Sequence, residues 1–256
     1  MNIFETCGDW RVLQERTRTL LLALGALFFS TPSLAAGWEQ ILVDDGIRVS
    51  TRQIEGRELP AFKGVGVVNA PMVDVLAVLT DTPRRVEWVH KCSDSRLLEE
   101  VTEKNRVIYS RTKAPWPVSD RDVVVRTRSS VNWEKKEIMI RFKEDRSYPF
   151  SKLEGVVRIP RIEGFYRLQA LGENKTRVTY QIDAEPGGSL PAWLAELTSR
   201  KIPYETIMGL RSQVKKTQAS GVYRAKIAEW EARRKEKAAE LKQEGNPAEN
   251  ASEPTP

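Results

Sequence analysis

Apolar and polar residues alternate through much of the chain between residues 46 and 185. In segment 175–183, Val178, Tyr180 and Ile182 share one face, while polar residues occupy the other. A period of two is typical of strands that are buried on one side only. The pattern predicts antiparallel strands at 46–52, 61–68, 95–102, 105–112, 121–130, 137–144, 153–159, 164–171 and 175–183.

Helical periodicity interrupts the strands early in the chain. Apolar residues of segment 71–80 recur every three or four positions and predict a helix, followed by a shorter one that contains Trp88. Within the predicted strand 61–68, Gly64 and Gly66 stand two residues apart. A third glycine at phosphate-loop spacing is missing, so the pair favours strand bending over a nucleotide site.

A second helical region follows the last strand. Segment 190–217 predicts a long helix, which Pro203 is expected to break or kink after Lys201. Segment 223–244 is rich in Ala, Glu, Lys and Arg and predicts an exposed, charged helical extension. Segment 245–256 is polar and contains proline, which predicts a disordered tail.

The order of elements predicts an α+β fold with an internal cavity. A curved antiparallel sheet with one apolar face needs a cover, and only the helix at 190–217 is long and apolar enough. Where the curvatures of a sheet and a helix differ, an apolar space remains between them. Such a space suits an apolar guest.

The N-terminus has the pattern of a secretory signal peptide. The apolar run 20–29 follows three arginines and precedes Ser33 and Ala35, which occupy the −3 and −1 positions of a cleavage site after residue 35. An uncleaved anchor is the alternative, although ten strongly apolar residues are short for a membrane span. We therefore expect segment 1–35 to direct export, to the periplasm of a Gram-negative bacterium or to the medium.

Composition narrows the chemistry. Among 256 residues there is one histidine, His90, and there are two cysteines, Cys7 and Cys92. Metal sites built from several histidines or cysteines are therefore excluded within one chain, and no cofactor is expected. The net charge of +6 permits contact with anionic lipid surfaces. Charges of both signs are mixed along 223–244, so no nucleic-acid partner is expected.

The segment 113–124 carries a family resemblance. Pro115, Trp116 and Pro117, followed by Ser119 and the pair Arg121-Asp122, resemble the loop and strand of START domains, which are lipid-transfer domains with the helix-grip fold. Further similarity comes from Trp88, the tyrosine strand 107–109 and the segment 190–194, and extends over residues 38–222. We therefore expect a START-like domain over 36–222.

The resemblance implies a carrier that encloses one lipid and meets membranes transiently, and we expect the protein to be a monomer. The ligand would be a phospholipid, a fatty acid or a sterol-like molecule beneath the C-terminal helix, and Pro115, Trp116 and Pro117 would belong to a gate loop. Cholesterol-carrying relatives have an arginine where this chain has Thr127, which argues against a sterol-specific site. The expected ligand contacts are Trp88, Tyr109, Arg121, Val123, Val125, Thr127, Tyr180, Trp193, Leu194 and Leu197.

Several alternatives remain open at this point. Arg121 needs a buried acceptor, which is either a lipid headgroup or one of the carboxylates of Asp120, Asp122 and Glu87. Trp116 either meets a membrane interface or packs against Trp193. An enzyme of the same superfamily, a cyclase or hydrolase using cavity polar groups such as Arg121, Tyr109 and Tyr180, and an envelope scaffold are the other functions considered.

Overall fold

A computed structural model describes residues 37–57, 59–188 and 192–244, without the side chains of 192–200 and 241–244. The expected signal peptide and disordered tail lie outside the described residues. So do the side chains of Trp193, Leu194 and Leu197, although their backbone is helical. Within the described ranges, no helix combines the length and apolar character needed to cross a membrane.

The described chain forms one sheet, three α-helices and a 3-10 helix. The strands are β1 (Glu39–Asp44), β2 (Ile47–Arg52), β3 (Ala61–Val68), β4 (Cys92–Thr102), β5 (Asn105–Thr112), β6 (Arg121–Asn132), β7 (Glu137–Glu144), β8 (Val157–Arg158), β9 (Arg161–Gly172) and β10 (Lys175–Glu185). The helices are α1 (Met72–Thr80), the 3-10 helix (Pro83–Glu87), α2 (Ala192–Ser220) and α3 (Arg224–Glu244).

The sheet is antiparallel and ordered β1-β2-β3-β10-β9-β7-β6-β5-β4, with the short β8 pairing in parallel with β6. Strand β1 was not expected from the sequence, because its apolar residues Ile41, Leu42 and Val43 are contiguous and a bulge interrupts its register. Strand β8 is much shorter than the expected strand at 153–159. The remaining strands occur where alternation predicts them.

Helix α2 approaches the inner face of the sheet at two glycines of β3. A Cβ atom on Gly64 would lie 3.0 Å from both Pro203 Cβ and Ile207 Cδ1, and one on Gly66 would lie 2.9 Å from Ile207 Cγ2. Side chains at these positions would hold the helix away from the strand. The two glycines therefore admit α2, a role that differs from the strand bending expected from the sequence.

Of the break or kink expected at Pro203, the break does not occur. Helix α2 is continuous from Ala192 to Ser220 and carries Pro203 in its interior. Proline removes one helical hydrogen bond. That loss is offset by packing, since Pro203 rests on Gly64 and the next turns bury Ile207, Leu210 and Val214 almost completely.

A third close contact fixes α2 against the 3-10 helix. A Cβ on Gly209 would lie 2.1 Å from the carbonyl oxygen of Trp88, so the two backbones touch there. One turn later, Gln213 and Lys216 donate hydrogen bonds to the Glu87 carboxylate at 3.0 and 2.9 Å. Hydrogen bonds from Arg84, Lys216 and Gln213 lower the pKa of Glu87. The carboxylate stays ionised and holds the helix in register.

The core continues past the domain boundary expected at residue 222. Tyr223 is buried and donates a hydrogen bond to Asp81 at 2.6 Å. Ile227 and Trp230 of α3 pack against the main core cluster, and Arg233 pairs with Glu103 at 2.7 Å. The first half of α3 is therefore docked on the domain, whereas most of its later residues are exposed.

The substitution Gly209→Ala should lower the free energy of unfolding by about 1–3 kcal/mol, because the new methyl group overlaps the Trp88 carbonyl. Alanine is otherwise the better helix former, so the sign of the change is informative. Urea denaturation measures it, with Ser212→Ala on the exposed side of the same helix as the control. A Gly209 variant as stable as the parent, or more stable, would show that the close contact with the Trp88 backbone does not constrain the helix.

Candidate functional site

A cavity of about 290 Å³ lies on the inner face of the sheet. Most of its wall is apolar and comes from β5, β6, β7, β9 and β10, with α1 and α2 completing the enclosure. The wall includes Phe62, Leu79, Ile108, Phe142, Ile182 and Ile202. Its volume and composition match the lower end of the range for small-molecule sites.

Strand β6 presents to the cavity the side chains that alternation assigned to it. Arg121, Val123, Val125 and Thr127 all line the cavity. Asp122, on the intervening parity, forms an ion pair with Arg158 of β8 at 2.6 Å. Side chains of β6 therefore alternate between the cavity and the outer face from Arg121, its first residue, onwards.

Two expected ligand contacts lie elsewhere. Tyr109 faces the outer side of the sheet, where its ring stacks on Phe150 at 4.6 Å. It pairs across the strands with Val124, whose parity is outward, while the neighbouring Ile108 faces the cavity. Trp88 is buried in the main core and does not belong to the described cavity wall.

Tyr180 lines the cavity as expected and is stacked on Tyr166 at a centroid distance of 4.6 Å. Burial raises the pKa of both phenols, well above the ordinary value for Tyr180. The hydroxyl groups therefore remain neutral at physiological pH, and the Tyr180 hydroxyl hydrogen-bonds to Tyr166, which also interacts with Arg85. Tyr166 adds to the site a residue that the sequence reading did not select.

Arg121 is 7% exposed and donates a hydrogen bond from Nη1 to the Ser119 carbonyl at 2.6 Å. Burial lowers its pKa, and the charge of Asp120 acts in the opposite direction. Of the carboxylates considered as partners, Asp122 faces outward to Arg158 and Glu87 binds α2. Of the three carboxylates, Asp120 is thus the one whose charge acts on Arg121.

Arg85 of the 3-10 helix is a cavity residue that the sequence reading missed. Its Nε is buried and makes no hydrogen bond within the described chain, and its charge opposes the pKa increase that burial causes at Tyr166. A 3-10 helix has three residues per turn, so Thr82 and Arg85 share the inward side. A search for that shorter period would have found it.

His90 and Cys92 also line the cavity. Burial lowers the pKa of His90, partly countered by Glu205, and burial raises the pKa of Cys92. Both groups are therefore favoured in their neutral forms. Among the described residues, no cluster of three or more His, Cys, Asp or Glu side chains is placed to hold a metal ion.

The loop between β5 and β6 closes one end of the cavity. Lys113, Ala114 and Pro115 contribute to the wall, whereas Trp116 is 91% exposed and so is not packed on a lid residue. Asp120 clasps the loop by accepting hydrogen bonds from the Ala114 amide at 3.1 Å and from Arg111 Nε at 2.9 Å. Pro117 follows Trp116 through a cis peptide bond.

Comparison with known proteins identifies the family. A family model of the START domain matches residues 31–220. An uncharacterised Pseudomonas aeruginosa protein is 32% identical over 199 residues, which cover 78% of this chain and 97% of that protein. The chain belongs to the START domain family. Bovine phosphatidylcholine transfer protein is 29% identical over 167 residues, which cover 64% of this chain and 78% of the bovine protein.

Solved structures agree with this assignment. A STAR-related lipid transfer protein fragment from Xanthomonas axonopodis is 35% identical, with a TM-score of 0.64 over 70% of this chain and 99% of that fragment. Human StAR-related lipid transfer protein 5, at 16% identity and a TM-score of 0.63, covers 81% of this chain and 97% of its own. The latter shows a shared fold alone. The START resemblance and the helix-grip fold expected from the sequence are confirmed.

The pair Asp122–Arg158 holds the START strand β6 at the point where it enters the cavity. Removing Arg158 as Arg158→Met leaves a carboxylate that is 1% exposed without its partner, and should lower the free energy of unfolding by about 3 kcal/mol. The double variant with Asp122→Leu should recover most of this loss, because no charge remains buried. Chemical denaturation of both variants provides the test. A single variant as stable as the parent would show that the pair is not needed.

Proposed function

We propose that this protein carries one phospholipid in the cavity, with the phosphate at Arg85 and the acyl chains along β6, β7 and β10. The proposal rests on the Nε of Arg85, which is buried and makes no hydrogen bond within the described chain, while the same guanidinium group interacts with the Tyr166 hydroxyl. A buried guanidinium group needs an acceptor, and phosphate oxygens form strong, charge-assisted hydrogen bonds with arginine.

The tyrosine pair supports the same headgroup position. Tyr166 and Tyr180 lie beside Arg85, and Tyr166, whose oxygen interacts with Arg85 and Tyr180, keeps its own hydroxyl proton to donate to a further phosphate oxygen. Val123, Val125 and Phe142 provide an apolar path for acyl chains on the same wall. An amphipathic ligand therefore meets a polar end and an apolar body in one enclosure.

The names of relatives support a phospholipid over the other ligands considered. The bovine relative is a phosphatidylcholine transfer protein, and the Xanthomonas structure is of a STAR-related lipid transfer protein. A fatty acid would offer Arg85 a single carboxylate and fill less of the apolar wall. We also propose that segment 1–35 directs export of the protein. The exported protein then acts in the periplasm as a monomer, and its contacts with membranes are transient.

Loading requires the cavity to expand. At about 290 Å³ the cavity lies near the lower limit of ligand sites, so we expect the loop 113–120 and α2 to move outwards when two acyl chains enter. Trp116 is exposed at the tip of this loop, where its apolar ring and N–H donor suit a membrane interface. We infer that contact of Trp116 with a bilayer favours the open gate.

The clasp at Asp120 sets the pH range of the closed gate. Burial raises the pKa of Asp120, but the Ala114 amide and Arg111 outweigh it, and the net shift is downward. A carboxylate with a lowered folded-state pKa stabilises the closed loop above its unfolded pKa of about 3.9, and this contribution is lost as the pH falls through the folded value. The clasp is thus complete at neutral pH.

The substitution Arg85→Met should reduce loading of phosphatidylcholine about tenfold or more, because the phosphate loses a charge-assisted partner. Loading is measured as labelled phospholipid retained after incubation with vesicles and gel filtration. Arg234→Met on the exposed side of α3 is the matched control and should load normally. Normal loading of the Arg85 variant would exclude this headgroup position, and failure of the parent protein to load any phospholipid would overturn the proposed function.

The substitution Trp116→Ala should slow transfer of labelled phospholipid between vesicles, with little change in the amount bound at equilibrium. The ring meets the membrane in the open state and not the ligand in the closed one, so its removal affects a rate. Trp133→Ala, in the turn between β6 and β7, serves as the control. If both variants transfer at the parental rate, the loop has no part in opening.

A further inference from the structure

Two arginines stand directly opposite each other on the outer face of the sheet. Arg128 of β6 is the cross-strand partner of Arg141 of β7, and both side chains are exposed. Like charges in this position destabilise a sheet. Neither arginine side chain forms an ion pair or hydrogen bond with any described residue. The pair is an uncompensated charge that the fold does not require.

A row of cross-strand neighbours connects this pair to a third cation, Lys63, at the other side of the sheet. In the register, Arg141 is opposite Phe165, Phe165 is opposite Gln181, and Gln181 is opposite Lys63. Together these contacts form one row from β6 to β3. At strand spacings of about 4.8 Å, the row is roughly 19 Å wide. A band of this width exceeds what a single small anion needs.

Two further arginines enlarge the row at the Lys63 end. Burial, together with the charges of Arg52 and Arg167, lowers the pKa of Lys63. The Trp38 ring lies against both Arg52 and Lys63, at 4.9 and 4.1 Å. The Nε of Arg167 is buried and makes no hydrogen bond in the described chain. The residues Arg52, Lys63, Arg128, Arg141 and Arg167 are called here the outer basic face.

Acidic residues near this face are already paired. Glu163 and Asp183 both interact with Arg161, and Asp145 binds Arg126. A shallow groove of about 570 Å³ runs among these groups and includes Arg52, Arg128 and Arg141. Four carboxylates therefore line the groove, those of Glu144, Asp145, Glu163 and Asp183, and each pairs with a cation outside the outer basic face. Within the described chain, none of the five cations of this face forms an ion pair.

We propose that the outer basic face is a docking surface for an anionic lipid bilayer, separate from the gate. An extended array of unneutralised arginine and lysine complements a surface that carries many negative charges. The choice of a membrane over another polyanion rests on the proposed function, because a lipid carrier must meet bilayers repeatedly. Docking here keeps the protein at the membrane, while the loop around Trp116 performs the exchange.

The docking surface has a direct binding test that does not involve the cavity. The protein is sedimented with vesicles of phosphatidylcholine alone or mixed with phosphatidylglycerol, at low and at high salt. Binding should require phosphatidylglycerol and should weaken with salt, because exposed charges are screened within about a Debye length. Each arginine removed should weaken binding about fivefold. The double variant Arg128→Gln, Arg141→Gln should therefore lose roughly 25-fold.

A matched variant separates the local surface from net charge. Arg234→Gln with Lys235→Gln removes the same charge from the exposed side of α3 and should bind anionic vesicles nearly as well as the parent. Thermal unfolding should show the Arg128, Arg141 variant to be folded and at least as stable as the parent, since a like-charge pair is relieved.

Three results would overturn the proposal. The first is equal binding of the parent to neutral and anionic vesicles, or to neither. The second is an equal loss of binding in the two double variants, which would reduce the effect to net charge. The third is tighter binding to a single-stranded RNA oligonucleotide that displaces the vesicles, which would make the partner a nucleic acid. Failure to load phospholipid with intact vesicle docking would instead count against the cavity alone.

Discussion

This structure depends on the close approach of helix α2 to the rest of the domain, at points where glycines leave no side chain between them. Gly64 and Gly66 bring the helix onto β3, and Gly209 brings it onto the Trp88 backbone. Because α2 is held closely at these points, it cannot follow the curved sheet everywhere. The space that remains over β5, β6 and β7 is the cavity. The same packing overrides the helix-breaking tendency of Pro203.

The position of a charged residue along its strand or turn decides whether its side chain lies on the inner or the outer face of the sheet. Arg85 of the 3-10 helix and Arg121 at the start of β6 both line the cavity. Asp122, the next residue of β6, faces the outer side of the sheet and pairs with Arg158. The inner face thus combines an apolar wall with a few cationic groups, which suits an amphipathic anion. The outer face carries cations that no described acid neutralises, and so suits an external surface rather than a ligand. In the functions proposed above, one sheet serves both purposes because its two faces are chemically independent.

Sequence reasoning succeeded where a single period governs a long element. Alternation along β6 assigned Arg121, Val123, Val125 and Thr127 to one face, and the structure places them there. It failed at Tyr109, because Val107, Ile108 and Tyr109 are all buried and the outer side of β5 is covered by Phe150 from a distant loop. Such long-range contacts leave no local pattern. Arg85 was missed for a different reason, since a 3-10 helix does not follow the α-helical period.

The central claim is that the space left under α2 holds a single phospholipid. Native mass spectrometry of the protein purified after expression in a bacterium, followed by solvent extraction of the bound material, measures this most directly. The account predicts a one-to-one complex whose extracted component is a phospholipid. A protein that is empty as purified, and that stays empty after incubation with phospholipid vesicles, would contradict it.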